Sequence, residues 1–87
     1  MEKTITKFIG NGCINCRAMT PIMEAVKKEH SDIKFNEINV STDTGAADKH
    51  DITTLPTLVF LRDGKEVARM TGLKPKSLVL KKIQEVF

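Results

Sequence analysis

Hydrophobic and polar residues follow two different periods in the first forty residues of the chain. From Thr4 to Ile9 the sequence is rich in β-branched residues and alternates with a period of two, which predicts a strand. From Ile14 to about Glu29 apolar residues return every three or four positions, which predicts a helix, and Ile33 to Val40 again predicts a strand. A strand–helix–strand order predicts two parallel strands joined by a right-handed crossover.

The second half of the chain predicts a short helix, a hairpin and a final helix. Ser41 to Asp51 is polar and is assigned to the short helix. Thr57 to Arg62 is a strongly apolar strand, Asp63-Gly64 is the dipeptide of a tight hairpin, and Lys65 to Thr71 is the returning strand. A last helix begins near Lys74–Ser77. We therefore expect an α/β protein of order βαβ-α-ββα, with a four-stranded mixed sheet flanked by helices.

Length and composition limit the class of protein. The chain has 87 residues, of which 40% are hydrophobic and 29% are charged, so we expect one globular domain over residues 1–87. The net charge of +3 is scattered and forms no basic stripe with aromatic residues, which argues against nucleic acid as a partner. No apolar run approaches the roughly 20 residues that span a bilayer, and no leader pattern precedes the first strand. We therefore expect a cytoplasmic protein that binds no membrane.

The candidate chemistry lies in two cysteines between the first strand and the first helix. Cys13 and Cys16 are the only cysteines, and in a reducing compartment such a pair is more often catalytic or metal-binding than a structural cross-link. Residues three apart on a helix share a face, so the two sulfurs can form a disulfide without unfolding the helix. Cys13 lies where the unpaired N–H groups and the positive end of the helix dipole favour a thiolate, which is the reactive form.

From about Lys3 to Phe87 the chain resembles the thioredoxin superfamily. The matching segments are Cys13-Ile14-Asn15-Cys16, the helix proline Pro21, Leu55-Pro56-Thr57, Asp63-Gly64 and Gly72. The resemblance implies a minimal thioredoxin fold and a thiol–disulfide oxidoreductase that acts on disulfide-containing proteins. It also implies a reductase partner such as thioredoxin reductase and no cofactor beyond the Cys13–Cys16 disulfide, and we expect a monomer. Because Gly72 is followed by Leu73, the glycine pair of a glutaredoxin glutathione site is absent.

The same resemblance implies a role for each residue around the sulfurs. Cys13 would attack a substrate disulfide, and Cys16 would then attack Cys13 to release the reduced substrate. Pro56 would be cis and lie against the disulfide, while backbone groups at Leu55 would pair with an extended substrate segment. The small, largely apolar docking rim would come from Asn11, Gly12, Ile14 and Gly72.

Two charged positions depart from the family pattern. In thioredoxins a buried Asp on the first core strand lies beneath the active site, near a Lys on the neighbouring strand; Lys7 here corresponds to that Asp and Glu37 to that Lys. Both lie among apolar residues, so we hypothesise a partly buried ion pair under Cys16. Glu37 would help the proton leave Cys16, and Lys7 would stabilise its thiolate. The alternative is that both residues are exposed on a strand face, since Lys and Glu are rarely buried.

Two other functions could use the same features. The two cysteines could supply half of a metal site completed by His30 and His50, but these histidines are 20 positions apart, far from zinc-finger spacing, so we expect no metal. We expect His30 to cap a helix and His50 to face solvent. The chain could also be a redox-inactive adaptor that keeps the fold and binds a partner protein. The presence of both cysteines favours the oxidoreductase.

Overall fold

Four strands form one mixed sheet in the order β2-β1-β3-β4. In the computed structural model, which describes residues 1–87, the strands are β1 (Lys3–Ile9), β2 (Lys34–Asn39), β3 (Thr57–Arg62) and β4 (Lys65–Thr71). β1 pairs parallel with β2 and antiparallel with β3, which pairs antiparallel with β4. The predicted mixed sheet is confirmed, with β1 as a central strand and β2 at an edge.

Three helices connect or follow these strands: α1 (Ile14–Glu29), α2 (Ala46–Lys49) and α3 (Lys76–Val86). α1 continues through Pro21 without a break. α2 is much shorter than predicted because its N-cap residue is Gly45, in the left-handed conformation at φ 92°, so that the polar residues before it form turns. None of the three helices has both the length and the apolar character needed to cross a membrane.

The hydrophobic core has two parts of unequal size, one on each face of the sheet. The larger part packs α1 and α3 against the sheet and contains Ile5, Met19, Met23, Val26, Ile33, Leu58, Phe60, Val79 and Ile83. The smaller part contains only Phe8, Ile52 and Val59, with partly buried neighbours that include Leu55. β1 contributes Ile5 to the larger part and Phe8 to the smaller one, because successive side chains of a strand point to opposite faces. This arrangement fixes the C-terminal end of β1, where the two cysteines follow.

Candidate active site

Cys13 and Cys16 form a disulfide at the N-terminus of α1. β1 ends at Ile9, and the turn of residues 10–12 brings Cys13 to the N-cap position of the helix. The sulfur of Cys13 accepts a hydrogen bond of 3.0 Å from the backbone N–H of Cys16, as a side-chain oxygen does at most helix N-termini. Cys13 is half-buried, whereas Cys16 is only 4% exposed. The two sulfurs therefore differ in accessibility although they are bonded to each other.

The turn before Cys13 is held by the last residue of β2 and by a serine just after that strand. The backbone N–H of Asn11 donates to Ser41 Oγ at 2.9 Å, and Asn39 Nδ2 donates to Asn11 Oδ1 at 3.1 Å. Gly10 lies so close to Leu55 that a Cβ at position 10 would come within 2.7 Å of Leu55 Cδ1. The turn is thus packed against the loop that precedes β3.

That loop contains the Leu55–Pro56 peptide bond, which is cis as the resemblance implied. Pro56 is buried, and its carbonyl oxygen accepts a hydrogen bond of 2.7 Å from the backbone N–H of Gly72. Gly72 can take part because it has the left-handed φ of 82° that glycine adopts readily. Gly12 and Ile14 are exposed beside the disulfide, and the Ile14 side chain is 73% exposed.

A hydrogen-bond network that the sequence did not suggest anchors the same loop from the other side. The guanidinium of Arg69 on β4 donates to the carbonyl oxygens of His50 and Asp51, each at 3.1 Å, and makes two bonds of 2.6 and 2.7 Å to the carboxylate of Glu66. The two bonds between Arg69 and Glu66 lower the pKa of Glu66 and raise the pKa of Arg69, since each residue stabilises the charged form of the other. Arg69 therefore joins β4 to the start of the segment that leads to Pro56.

Lys7 and Glu37 lie next to each other in the register of β1 and β2, and Lys7 Nζ is 3.6 Å from Glu37 Oε2. Their burial is unequal: the Lys7 side chain is 8% exposed, but that of Glu37 is 57% exposed. The hypothesised ion pair is present, but only its Lys7 side is buried, because β2 is the edge strand of the sheet and leaves the Glu37 side chain open to solvent. The ion pair thus has one buried partner and one solvated partner.

A threonine links the buried ammonium to the backbone of Cys16. Lys7 Nζ donates to Thr20 Oγ1 at 3.3 Å, and the Thr20 hydroxyl donates to the carbonyl oxygen of Cys16 at 3.4 Å. Thr20 was missing from the sequence-based set, although its spacing of four residues from Cys16 is the spacing at which a helical threonine reaches a carbonyl of the preceding turn. A cavity of about 270 Å³ beside the disulfide is lined by Lys7, Ile9, Gly10, Gly12, Cys13, Cys16, Arg17, Thr20 and Glu37.

The two histidines lie in different parts of the structure. His30 is the C-cap residue of α1, and its backbone N–H donates to the carbonyl oxygen of Lys27, in agreement with the predicted capping role. His50 is half-buried, with its ring 5.1 Å from that of Phe8, so the prediction that it would face solvent is wrong. Nowhere do three His, Cys, Asp or Glu side chains come together in a group that could hold a metal ion.

Comparisons with known proteins agree with this geometry. The family model described as Thioredoxin matches residues 1–85. The thioredoxin of Chlamydia caviae is 31% identical over 78 residues, which are 90% of this chain and 76% of that protein. Thioredoxin-2 of Saccharomyces cerevisiae is 30% identical over 74 residues, covering 85% of this chain and 71% of that one. The X-ray structure of Fasciola hepatica thioredoxin matches with a TM-score of 0.90 and 31% identity, over 99% of this chain and 82% of that chain. The similarity includes the segment with both cysteines.

Proposed function

Because the chain belongs to the thioredoxin family and is a thiol–disulfide oxidoreductase, we propose that it reduces disulfide-containing proteins with Cys13 as the attacking sulfur. The observation that carries this assignment is the unequal accessibility of the two sulfurs, half-buried at Cys13 and almost fully buried at Cys16. A protein substrate can approach only the outer sulfur. The N–H of Cys16, which points at the Cys13 sulfur, would also stabilise its thiolate.

The proposed cycle transfers two electrons and two protons from the protein to its substrate. The Cys13 thiolate attacks one sulfur of the substrate disulfide, which breaks that bond, forms a mixed disulfide and releases the first substrate thiolate. The Cys16 thiolate then attacks the Cys13 sulfur, which forms the Cys13–Cys16 disulfide and releases the second substrate thiolate. Both released thiolates take up protons, and a reductase returns the two electrons to the protein.

We propose that the substrate binds as an extended segment beside Pro56. The backbone of Leu55 would pair with this segment as a neighbouring strand does, and Gly12, Ile14 and Gly72 would form the rim around it. Support for this comes from the hydrogen bond between Gly72 and Pro56, which joins the loop before β3 to the loop after β4. Leu55 is held in turn by its contact with the turn at Gly10.

Lys7 and Glu37 are proposed to adjust the ionisation of Cys16 from below. The Lys7 ammonium is buried and reaches Cys16 through the Thr20 hydroxyl, so it would favour the Cys16 thiolate in the second step. Glu37 is solvated and borders the same cavity, where it could accept the proton that leaves Cys16. In this proposal Lys7 and Thr20 are positioning residues, because neither exchanges a bond with the substrate.

The proposal also covers the cellular setting of the reaction. The protein would act in the cytoplasm as a monomer, without a bound cofactor, and would be reduced by a partner such as thioredoxin reductase. A reducing compartment suits a disulfide that must open in every cycle. Size-exclusion chromatography with light scattering tests the monomer, and coupling to a purified thioredoxin reductase with NADPH tests the partner.

Serine substitutions at the two cysteines test the proposed roles. The unmodified protein should accelerate the reduction of insulin by dithiothreitol. Cys16→Ser should lose turnover but accumulate a mixed disulfide with the substrate, detectable by mass spectrometry, because the attacking sulfur is still present. Cys13→Ser should lose turnover and accumulate no such adduct. If Cys13→Ser retained full activity, or if the adduct formed only on Cys16, the assignment would be wrong.

A further inference from the structure

We infer that an apolar groove near the disulfide selects substrates with a bulky apolar residue two positions from the substrate's reactive cysteine. The charges around this groove favour substrates with acidic residues beside that cysteine. The groove is lined by five residues of α1 and of the connection between β4 and α3: Ala18, Ile22, Leu73, Lys74 and Pro75. Its volume of about 430 Å³ can take a large side chain. We call it the α1–Leu73 groove. The inference rests on the proposed function, since it concerns the substrates of that reaction.

Both walls of the α1–Leu73 groove are connected along the chain to residues of the site. Ile14, Ala18 and Ile22 are four residues apart and therefore share one face of α1, and Ile14 follows Cys13 directly. On the other side, Leu73 follows Gly72, which is hydrogen-bonded to the carbonyl oxygen of the cis proline. Because one wall leads to Ile14 beside Cys13 and the other to Gly72 beside Pro56, the occupant we assign to the groove is the substrate segment proposed to bind at Pro56.

The distance from the sulfur fixes which substrate residue enters the groove. Ala18 is five residues beyond Cys13, which corresponds to about 7.5 Å along the helix axis. An extended substrate segment advances about 3.3 Å per residue and its side chains alternate, so the residue two positions from its cysteine lies about 6.6 Å away on the same side. A segment that runs along α1 from Cys13 would therefore place this second neighbour at the groove while its cysteine points at Cys13. Its immediate neighbours point away from the groove.

The charges around the groove determine the preferred chemistry of the remaining substrate residues. Lys74 lines the groove and Arg17 lies on the first turns of α1, and neither has an ion-pair partner. Lys76 nearby differs, because it is paired with Glu29. None of the residues that line the groove is acidic. An acidic substrate residue would therefore find an unpaired cation, and the gain should be small and sensitive to salt.

A set of short peptides tests the inference on the reduced protein. Each peptide carries one cysteine linked by a disulfide to thionitrobenzoate, whose release is followed by absorbance; the peptide is reduced and the protein dithiol is oxidised. Leucine two positions before or after the cysteine should raise the second-order rate constant roughly tenfold over alanine at one of these positions. Aspartate beside the cysteine should raise it about twofold over lysine at low salt only. Rate constants within twofold for all peptides would overturn the inference.

Two pairs of variants connect the selectivity to the groove. Leu73→Ser should reduce the leucine-to-alanine ratio towards one, whereas Val67→Ser should keep it. The two side chains are equally exposed, at 42% and 41%, but Val67 lies on β4 about 13 Å from the groove end of that strand. Lys74→Glu should reverse the preference for aspartate, and Lys65→Glu in the hairpin should not. A ratio that survives Leu73→Ser would contradict the inference.

The peptide assay also distinguishes this inference from the proposed function. If the reduced protein released thionitrobenzoate from every peptide at the same rate, the groove would have no role and the oxidoreductase assignment would stand. If it released thionitrobenzoate from none of them, the proposed function itself would be wrong.

Discussion

Replacing Lys7 by methionine tests the proposal that a buried ammonium stabilises the Cys16 thiolate. Two hydrogen-bond steps of 3.3 and 3.4 Å connect Lys7 Nζ to the carbonyl oxygen of Cys16, so the ammonium is no more than about 7 Å from that atom. Lys7 and Cys16 also line the same cavity, and two unit charges about 7 Å apart interact by about 2 kcal/mol with an effective dielectric constant of about 20. Glu37 opposes this effect, but its carboxylate is 57% exposed and water screens it. A net effect of about 1 kcal/mol on the thiolate remains.

We expect Lys7→Met to form the Cys16 thiolate at higher pH than the unmodified protein, by about 0.7 of a pH unit, since a full unit corresponds to about 1.4 kcal/mol. Methionine occupies a similar volume and is tolerated in cores, so the fold should persist. The measurement is the ultraviolet absorbance of the thiolate against pH, made in a Cys13→Ser background so that a single thiol titrates. Lys7→Arg retains the charge and should shift the curve less than Lys7→Met.

Lys3→Met is the matched control for this titration. Lys3 lies on β1 four residues before Lys7 and on the same face of the strand, and it has an ion pair of its own, 3.0 Å long, with Asp32. It is about 13 Å from Lys7 along the strand and should leave the Cys16 titration unchanged. Identical curves for Lys7→Met and Lys3→Met would refute the electrostatic role, whatever their effects on stability.

Three further predictions concern other parts of the site. Gly72→Ala and Gly64→Ala should each lower the free energy of unfolding by about 1 kcal/mol, because both positions have a positive φ and a new Cβ would meet no other atom. Only Gly72→Ala should also lower kcat/KM for insulin reduction. Arg69 holds the pKa of Glu66 below its ordinary value of 4.5. The pair therefore stabilises the fold above pH 4.5, and this stabilisation is lost as the pH falls through the lowered pKa. In acid unfolding measurements, the stability of Glu66→Gln should lack this small pH-dependent contribution. Thr20→Val should shift the Cys16 titration in the same direction as Lys7→Met, but less, because the ammonium loses its link and not its charge.

Features that depend on local sequence could be predicted well. The alternation in β1, the helical period of α1 and the Asp63-Gly64 hairpin each depend on residues close together in the chain, and each occurs in the structure at almost the predicted boundaries. The hairpin residues have φ values of 51° and 83°, as a tight two-residue turn requires. The helix over residues 41–51 was predicted too long because its polarity did not reveal the left-handed Gly45.

Features that depend on strand order and register could not be predicted from the pattern alone. Glu66 and Arg69 are three residues apart, so in a regular strand they would point to opposite faces. A bulge shifts the β3–β4 register between Phe60 and Leu61, and the extra residue brings both side chains to one face, where they bond. Likewise, the exposure of Glu37 follows from the place of β2 at the edge of the sheet, which no local pattern specifies.

Because the two core clusters differ in size, the two halves of the site should differ in local stability. The helix that carries both sulfurs packs on the nine-residue cluster, whereas the segment leading to Pro56 is held on the other face by a cluster of three, through Ile52. Opening free energies follow the amount of buried apolar contact, so amide hydrogens around Ile52 should exchange faster than those of α1. If this loop pairs with substrates as proposed, its fluctuations would let it adjust to different polypeptides while the spacing of the sulfurs stays constant.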